Sequence, residues 1–388
     1  MEQIDDDGLD VDLVRVVLTS GANAGMELSI WQAVEITRGL DQCASSFSVS
    51  VGRGRLQESG MSSLPIQAGD GVTVLIGNDP VVNGWVEKVT RSRTAEAHGI
   101  NIQGRSITGD LVECSAMNKP GQWTGARFDR ILKDLVEPFA MPVVVDPAAA
   151  SSIVPNFEIE QGDTVFEAVE KLARFRGLVV HDSPSGAVKI IHPGRVVVDD
   201  VLRHRDGPDG QPDPTNNVLE SEFSDDMTKR FSLVTVKGQG GGGKSKVGPM
   251  GQAQDHAVAR YRPLIVKAES EASAGYCRDR ANWEVARRAG KSRHLTHAVK
   301  GWRRADGQLW DIDLVVQVED HNAEIWTKML VIGVKYSLDK NGQRALLTLE
   351  PPEAWLPQPF MDKASGGGGA KWKSVEAHIA NARKKEAP

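Results

Sequence analysis

Short runs of β-branched residues that end at turn sequences constrain this chain more than any other feature. Residues 72–76 (VTVLI) form such a run, and the turn-forming sequence GNDP follows at 77–80. Residues 47–51 alternate between apolar and polar side chains, and residues 12–19 do so in part. Because successive side chains of a strand point to opposite faces, this pattern predicts short strands joined by turns. Residues 11–94 are therefore expected to form a small antiparallel β-barrel, since closing the sheet removes exposed strand edges.

The periodicity changes to that of a helix after this region. An apolar stripe at i, i+3, i+4, i+7 and i+8 stops before Pro138 and predicts a helix that packs on a sheet. The stripe consists of Phe128, Ile131, Leu132, Leu135 and Val136.

A second helix is predicted to begin at Thr164, because Thr164 and Glu167 have the spacing of a capping box. Gly177 is placed to end this helix. Its expected buried face is Val165, Val169, Leu172 and Ala173. Residues 178–180 and 188–191 read as a hairpin around 183–186, so that 157–191 form one compact α+β unit.

A second β region is predicted from residues 233–236, 309–318, 329–338 and 344–349, and the last two are joined by a turn that contains Asn-Gly. Residues 206–217, rich in Gly, Pro and Asp, are interpreted as a linker before it. Strands at 314–318 and 330–335 resemble those at 72–76 and 81–89 in length and spacing, which suggests a weak internal repeat. This repeat predicts that Gly84 and Gly333 lie at corresponding strand positions, as bulges that curve the sheet.

An insertion is expected at 238–293, glycine-rich at first and helical from about 270 to 288. Its helix lacks a wide apolar face, which favours a surface position or contact with a partner. After Pro359, a glycine-rich linker at 365–369 precedes a short basic segment at 371–385.

The order of motifs resembles that of the central hub proteins in the baseplates of contractile-tail phages, best known from Mu-like phages and related to the T-even hub fold. In that family a "G-D-x-V-x-V" strand start is followed by "G-x-V" and then by "G-R-x-x-T-G-D-L-V-x-C-S-A". The matching residues are Gly69, Asp70, Val72, Val74, Gly84, Val86, Gly104, Arg105, Thr108, Gly109, Asp110, Leu111, Val112, Cys114, Ser115 and Ala116.

The resemblance implies a mainly β protein with two small antiparallel barrels of similar topology and an α+β middle region. The expected segments are a tube-like first barrel at 1–95, a middle region at 96–205, a discontinuous second barrel at 206–238 and 294–352, an insertion at 239–293 and a flexible tail at 353–388.

The resemblance also implies a structural role without enzyme activity. Three copies would form a ring with pseudo-sixfold symmetry that joins a hexameric tail tube to a trimeric spike and contacts other baseplate proteins, with DNA only as transiting cargo. The implied location is the virion baseplate, with assembly in the host cytoplasm late in infection. No catalytic, cofactor or metal residue is expected.

Composition agrees with a large protein that folds without disulfides. A length of 388 residues suggests two to four domains, and the three cysteines, Cys43, Cys114 and Cys277, are expected to be buried thiols in a reducing compartment. The N-terminus is acidic, and no apolar run approaches the ~18 residues of a membrane span, so stable membrane binding is not expected. A net charge of -6 argues against a surface that holds nucleic acid.

A P-loop nucleotide-binding enzyme is the first alternative, because residues 238–245 (GQGGGGKS) match G-x-x-x-x-G-K-[ST]. In a P-loop a helix begins at the Lys-Ser and directs backbone N–H groups at phosphate. Here Gly248 and Pro249 interrupt any such helix, and no βαβ succession surrounds the motif.

A cell-wall-binding protein is the second alternative. Gly162, Asp163 and Thr164, with the helix after them, resemble the opening of a LysM module, which implies contact with peptidoglycan. The same three residues also suit a tight turn and a helix cap. We therefore favour a structural unit at 157–191 that binds no sugar.

Other candidate sites have weaker support. His294 and His297 are the closest histidine pair, but they would lie on opposite faces of a strand. The pairs 225–226 and 319–320 are interpreted as solvated carboxylates. The basic run at 278–304, with Trp283 and Trp302, is interpreted as a protein interface in preference to a nucleic-acid stripe.

Overall fold

A computed structural model describes residues 12–61, 63–93, 98–174, 176–238, 248–268, 272–356 and 358–359. The strands are β1 Val14–Leu18, β2 Glu27–Leu28, β3 Ala33–Gly39, β4 Ser46–Gly52, β5 Gly71–Ile76, β6 Asp79–Arg93, β7 His98–Ser106, β8 Gln122–Arg127, β9 Val143–Val145, β10 Ile153–Glu158, β11 Val179–Asp182, β12 Val188–Ile191, β13 Val196–His204, β14 Val218–Asp225, β15 Leu233–Lys237, β16 Met250–Gln254, β17 Pro263–Lys267, β18 Arg293–Lys300, β19 Leu314–Asp320, β20 Lys328–Asp339 and β21 Gly342–Glu350. The fold is therefore mainly β, as predicted.

In the described part of the chain, six α-helices lie between these strands. They are α1 Arg53–Glu58, α2 Gly109–Glu113, α3 Phe128–Val136, α4 Pro147–Ala150, α5 Val165–Arg174 and α6 Ala274–Lys291. Short 3-10 helices span Glu137–Phe139, Met227–Lys229 and Pro352–Trp355.

Among the described residues, one 13-stranded sheet contains strands from both predicted β regions. Its main path runs β14-β18-β21-β20-β3-β4-β7-β6-β5-β1-β2, and β19 pairs with both β20 and β13. Alternate residues of β1 and β4 are buried, and these side chains belong to a single hydrophobic core that extends across both regions. This core positions the strand edges considered below.

The prediction of two separate closed barrels is wrong. β20 joins the two regions by pairing with β3 over residues 333–338, and the path of paired strands among the described residues does not close on itself. The second region nevertheless curls enough to bring β14 close to β19, since Ser221 Oγ donates to Asp320 Oδ2 over 2.5 Å. A strand as long as β20 can offer different lengths of one edge to β19 and β3, which allows one sheet to replace two barrels.

The middle region forms a second core between the two β regions. The predicted stripe on α3 is buried, as are all four residues predicted on α5. The capping box is present, since Thr164 N donates to Glu167 Oε2 over 2.8 Å and Glu167 N donates to Thr164 Oγ1 over 3.2 Å. β11 and β12 form the predicted hairpin, and β12 also pairs in parallel with β9. This region therefore folds largely as predicted.

Three boundaries differ from the sequence interpretation. β13 belongs to the large sheet, although its residues were placed in the middle region. Residues 206–217 form a tight loop closed by backbone bonds such as Asp213 N to Arg205 O, at 2.9 Å, and are not an extended linker. β15, expected in the second barrel, instead forms a small sheet of order β16-β15-β17.

The insertion is a compact unit in which α6 covers this small sheet. Cys277 and Ala281 on α6 are buried against Val236 of β15. On another side of α6, Trp283 Nε1 donates to Leu356 O over 2.7 Å. The helix packs within its own chain on two sides, while Arg278, Asn282 and Arg287 remain exposed. It therefore lies at the surface, as predicted, and its contact with a partner stays a prediction. The tail also begins later than residue 353, because Pro352–Trp355 is docked here.

Candidate assembly surfaces

The two β regions share one strand order. Apart from the two-residue strand β2, which pairs only with β1, each region has six strands. Numbered along the chain, they are β1, β3, β4, β5, β6 and β7 in the first region and β13, β14, β18, β19, β20 and β21 in the second. In both regions the order in space is first, fourth, fifth, sixth, third, second. One orientation differs, because β1 runs antiparallel to β5 whereas β13 runs parallel to β19. The other equivalent strand pairs are all antiparallel.

The hydrogen-bond registers make this equivalence exact to the residue. A bulge at Glu87 interrupts the pairing of β6 with β7, and a bulge at Ile332 interrupts that of β20 with β21. When the two bulges are superposed, the registers of four successive strand pairs agree without a gap. The preceding turns agree as well, since Gly69 and Asp313 both have positive φ and donate their N–H groups to Val86 O and Val331 O. The internal repeat is therefore confirmed at the level of topology.

Gly84 and Gly333 do not lie at corresponding strand positions, contrary to the prediction. In the shared register Gly333 is equivalent to Lys88, and Gly84 is equivalent to Met329. Gly84 is needed for another reason, because a Cβ at this position would lie 1.9 Å from Arg105 O on the adjacent strand. Sequence spacing alone could not show that the two glycines are not equivalent, since the bulge shifts one strand against the other.

The seam between the regions is a backbone ladder supported by charge. β3 pairs with β20 from Gly39 opposite Gly333 to Val34 opposite Leu338. Lys335 Nζ lies 2.7 Å from Glu35 Oε2 across this ladder. Arg38, also on β3, is buried and contacts Asp311 Oδ1 at 2.6 Å. Burial alone would lower the pKa of Arg38, but Asp311 and Asp182 raise it, so the guanidinium stays charged.

The motif that carries the family resemblance lies where β7 passes into the middle region. A Cβ on Gly104 would lie 2.1 Å from Trp85 O, which explains why a glycine occupies this position. The Thr108 hydroxyl is buried and lies 2.7 Å from Ser106 Oγ. Arg105 contacts Glu87 and Glu113, which raise its pKa although its partial burial would lower it. These residues have structural roles that strand packing explains.

A buried ionic cluster links three strands of the second region. His297 Nε2 lies 2.7 Å from Asp320 Oδ2, and both side chains are fully buried. Burial would raise the pKa of Asp320, but hydrogen bonds from His297, Ser221 and the Ala323 N–H lower it well below its usual value. The sequence did not predict this cluster, because the members of the cluster are distant along the chain. The interpretation of Asp320 as a solvated carboxylate is wrong, since this side chain is buried.

Asp313 is the second carboxyl that sequence reasoning missed. Its Oδ1 accepts a hydrogen bond from Gly194 N over 2.6 Å. Burial raises its pKa to about 7, and this effect outweighs the opposing hydrogen bond from Gly194. A raised pKa in a carboxyl can mark an active site. Here Asp313 occupies a turn equivalent to that of Gly69, and this buried position gives its raised pKa a structural explanation.

The aromatic residues of the basic run are internal. Trp302 is fully buried, and its Nε1 donates to Arg344 O over 3.1 Å. Trp283 is 7% exposed and is held against Leu356 O. Arg303 and Arg304 bind Asp12 and Asp200. The chain itself buries both tryptophan rings, so neither ring is available to a partner, and the interface interpretation of the rest of the run stays a prediction.

The remaining sequence candidates in the described part of the chain are histidines and carboxylates. No group of three or more His, Cys, Asp or Glu side chains is arranged there to hold a metal ion. His294 and His297 lie on opposite faces of β18, as predicted, and contact Glu350 and Asp320. Asp225 is exposed, as expected, and accepts a hydrogen bond from Ser292.

The glycine-rich P-loop match lies outside the described residues except for Gly238. The described chain resumes at residue 248 and forms β16, which agrees with the argument that Gly248 and Pro249 carry no helix. The cysteine prediction holds for Cys43 and Cys277, which are buried, but Cys114 is exposed. Among the described helices none is both long and apolar enough to span a membrane.

Known protein families match successive parts of the chain. Residues 19–106 match the N-terminal domain of the Mu phage baseplate assembly protein GpP-like family, and residues 108–192 match the second domain of the baseplate hub protein gp44-like family. Residues 230–283 match the third domain of the NMB1110-like tail proteins, and residues 273–358 match the fourth domain of the Mu phage baseplate assembly protein GpP. The middle region thus matches a hub domain, and its likeness to LysM is not confirmed.

A full-length comparison agrees with these domain matches. The baseplate hub protein gp44 of Escherichia phage Mu is 29% identical over 362 residues, which cover 90% of this chain and 92% of gp44. The chain is a homologue of the Mu-like baseplate hub proteins. Among solved structures, the 43 kDa tail protein of prophage MuSo2 from Shewanella oneidensis is 26% identical, with a TM-score of 0.77 over 89% of this chain and 100% of that one.

A second solved structure shares the fold of this hub homologue. The tail protein of Neisseria meningitidis MC58 has a TM-score of 0.73 and 23% identity, over 89% of this chain and 98% of its own. The duplicated sheet is the feature of the hub homologue that can form repeated contacts, and its edges are the candidate assembly surfaces.

Proposed function

We propose that this chain is the structural hub of a contractile phage tail baseplate, with no catalytic activity. Three copies form a ring that joins a hexameric tail tube to a trimeric spike and leaves a passage for DNA. Other baseplate proteins contact its outer surface. Its location is the virion baseplate, and it assembles in the cytoplasm of the host.

The observation that carries this proposal is the duplicated strand order with its shared bulge register. Two equivalent regions in each copy give a threefold ring six similar positions. Such a ring can contact a sixfold object on one side and a threefold object on the other, because each partner meets a symmetry that it shares. The pseudo-sixfold relation rests on one open sheet per copy and does not need closed barrels.

The mass of the protein in solution tests this proposal. Sedimentation equilibrium is expected to give three times the chain mass of 42.0 kDa at micromolar concentration. A monomer or an isologous dimer at all concentrations contradicts the trimeric ring. Addition of purified tail tube protein should then yield a complex with two tube subunits for each copy of this chain.

The nucleotide-binding alternative has a separate test. Isothermal titration with ATP is expected to show no binding, and Lys244→Ala should leave the oligomer mass unchanged. Micromolar ATP affinity that disappears in this variant would favour the enzyme. The cell-wall alternative predicts co-sedimentation with peptidoglycan, and we expect the protein to remain in the supernatant.

A further inference from the structure

The internal seam uses two strand edges that each β region possesses. On one side is β3, the second strand of the first region, and on the other is β20, the fifth strand of the second region. Their equivalents are β14 and β6. Within the described residues, neither of these has a ladder partner on the edge that corresponds to the seam.

The edge of β6 is open beyond its bulge. β5 covers residues 79–85, and Val86 exchanges backbone bonds with Gly69 and Asp70. Past Glu87, the described backbone forms no bond on this side of residues 88–93. Lys88 and all residues from Thr90 to Arg93 are exposed. The Arg91 side chain reaches Ile66 O at 3.3 Å and leaves the backbone edge accessible.

The edge of β14 is open over its second half. At its start the chain lies beside β13, where Asn217 N donates to Arg203 O over 3.3 Å. Residues 221–225 pair only with β18 in the described structure. Glu222, Ser224 and Asp225 are exposed.

We propose that β14 of one copy pairs antiparallel with β6 of the next copy and so repeats the internal seam between chains. The proposal rests on the proposed function, because it assumes that several copies assemble. The shared register fixes the alignment: Asp226 lies opposite Lys88, Ser224 opposite Thr90 and Glu222 opposite Ser92. Phe223 lies opposite Arg91.

Charge favours this pairing over its alternatives. The β14 side carries Glu220, Glu222, Asp225 and Asp226, whereas the β6 side carries Lys88, Arg91 and Arg93. The internal seam has the same polarity, with Glu35 on β3 and Lys335 on β20. Opposite charges across strands stabilise a ladder and like charges destabilise it. Two β14 edges would repel each other, as would two β6 edges.

The resulting contact is heterologous, because the two edges are different surfaces of the same chain. Each copy then uses one edge on each side, and the copies close into a ring when the rotation per step permits. The pairing is a form of strand addition, in which backbone bonds supply affinity and side chains supply register.

A disulfide between the two edges tests the register. In a Cys114→Ser background, we combine Ser224→Cys with Thr90→Cys, two exposed positions that the proposed pairing places directly opposite. Directly opposed residues lie about 4.5–5.5 Å apart at Cα, within the range of about 4.4–6.8 Å that a disulfide needs. The matched control combines Ser224→Cys with Ser92→Cys, which is two residues out of register and about 7–8 Å apart.

Under mild oxidation, we expect the matched pair to yield at least tenfold more cross-linked trimer on a non-reducing gel than the offset pair, and each single cysteine variant to stay monomeric on that gel. A trimeric mass without preferential cross-linking of the matched pair overturns this seam and leaves the hub proposal standing. Cross-linked open chains without a closed trimer support the seam and overturn the ring. A protein that stays monomeric, with no cross-link, overturns both.

Discussion

At the scale of single residues, the buried carboxyls of the second β region determine how stability depends on pH. Asp313 has a pKa raised to about 7 in the folded chain, so over the range from about 4 to 7 the folded state binds more protons than the unfolded state. Stability from this group is therefore present at low pH and is lost as pH rises through about 7.

Asp313→Asn should accordingly stabilise the protein at pH 8 and have a much smaller effect at pH 4.5. Asparagine tolerates the positive φ of 67° and keeps an oxygen for Gly194 N, so only the charge is removed. Thermal unfolding of both proteins at the two pH values measures the difference. An equal gain at both pH values would show that the carboxyl is neutral or solvated throughout.

Asp320 has the opposite character, because its charge is held by His297 and Ser221. Asp320→Ala leaves the donors of the buried His297 and the half-buried Ser221 without their acceptor, which costs about 1–3 kcal/mol of unfolding free energy for each unsatisfied group. Urea denaturation measures this loss. Asp339→Ala at an exposed hairpin end is the control and should change stability by less than about 1 kcal/mol. A loss below about 1 kcal/mol in Asp320→Ala would contradict the structural role of the cluster.

At the scale of elements, α6 and the segment Pro352–Trp355 form one unit. Lys291 Nζ lies 3.6 Å from the centre of the Trp355 ring, and Trp355 Nε1 donates to Glu350 Oε2 over 2.6 Å. Removal of residues 352–388 uncovers Trp283 and should cost about 3–5 kcal/mol, as for deletion of a large buried side chain.

Removal of residues 360–388 is the matched control and should leave the unfolding free energy unchanged within about 0.5 kcal/mol. The two truncations are compared by urea denaturation. If the shorter deletion also destabilises the protein, the tail beyond Pro359 packs on the fold and the separable tail is wrong.

Element by element, the sequence predicts what local periodicity determines. The apolar stripe of α3, the capping box of α5 and the Asn-Gly hairpin could all be predicted from residues close together in the sequence. The partners of β15 and β20 could not, because the edge that a strand pairs with depends on distant chain segments. The burial of Trp283 and Trp302 could not be predicted for the same reason, since local sequence does not show whether the same chain covers an aromatic ring.

The sequence predicted the candidate assembly surfaces only in outline. The repeat was visible in the lengths of the two hairpins, but its residue register was not, because the bulges at Glu87 and Ile332 leave no sequence signal. Open edges were not visible at all, since a strand with alternating exposure looks the same whether or not a neighbour pairs with it.

At the scale of the whole molecule, assembly should be sensitive to salt. The proposed seam sets acidic β14 against basic β6, and exposed ion pairs are screened beyond about 10 Å at 0.1 M salt. Lys88→Glu should weaken the trimer roughly tenfold, corresponding to about 1.4 kcal/mol. The effect should shrink in 0.5 M NaCl. Sedimentation velocity across a dilution series measures the dissociation.

Lys133→Glu is the matched control, because Lys133 is an exposed lysine on α3, away from both edges. It should leave the trimer unchanged. An equal effect of the two reversals would mean that net charge, and not the seam, controls assembly.

The insertion of β15, β16, β17 and α6 occurs in only one of the two equivalent regions, between β14 and β18, whereas residues 40–45 alone join β3 to β4. Around the proposed ring, β regions without an insertion would therefore alternate with β regions that carry one. The β regions repeat six times around the proposed ring and the insertions repeat three times. Different surfaces of the same ring therefore have different rotational symmetry. A partner that contacts only the sheets meets six similar sites, whereas one that also contacts an insertion can bind only at every second site.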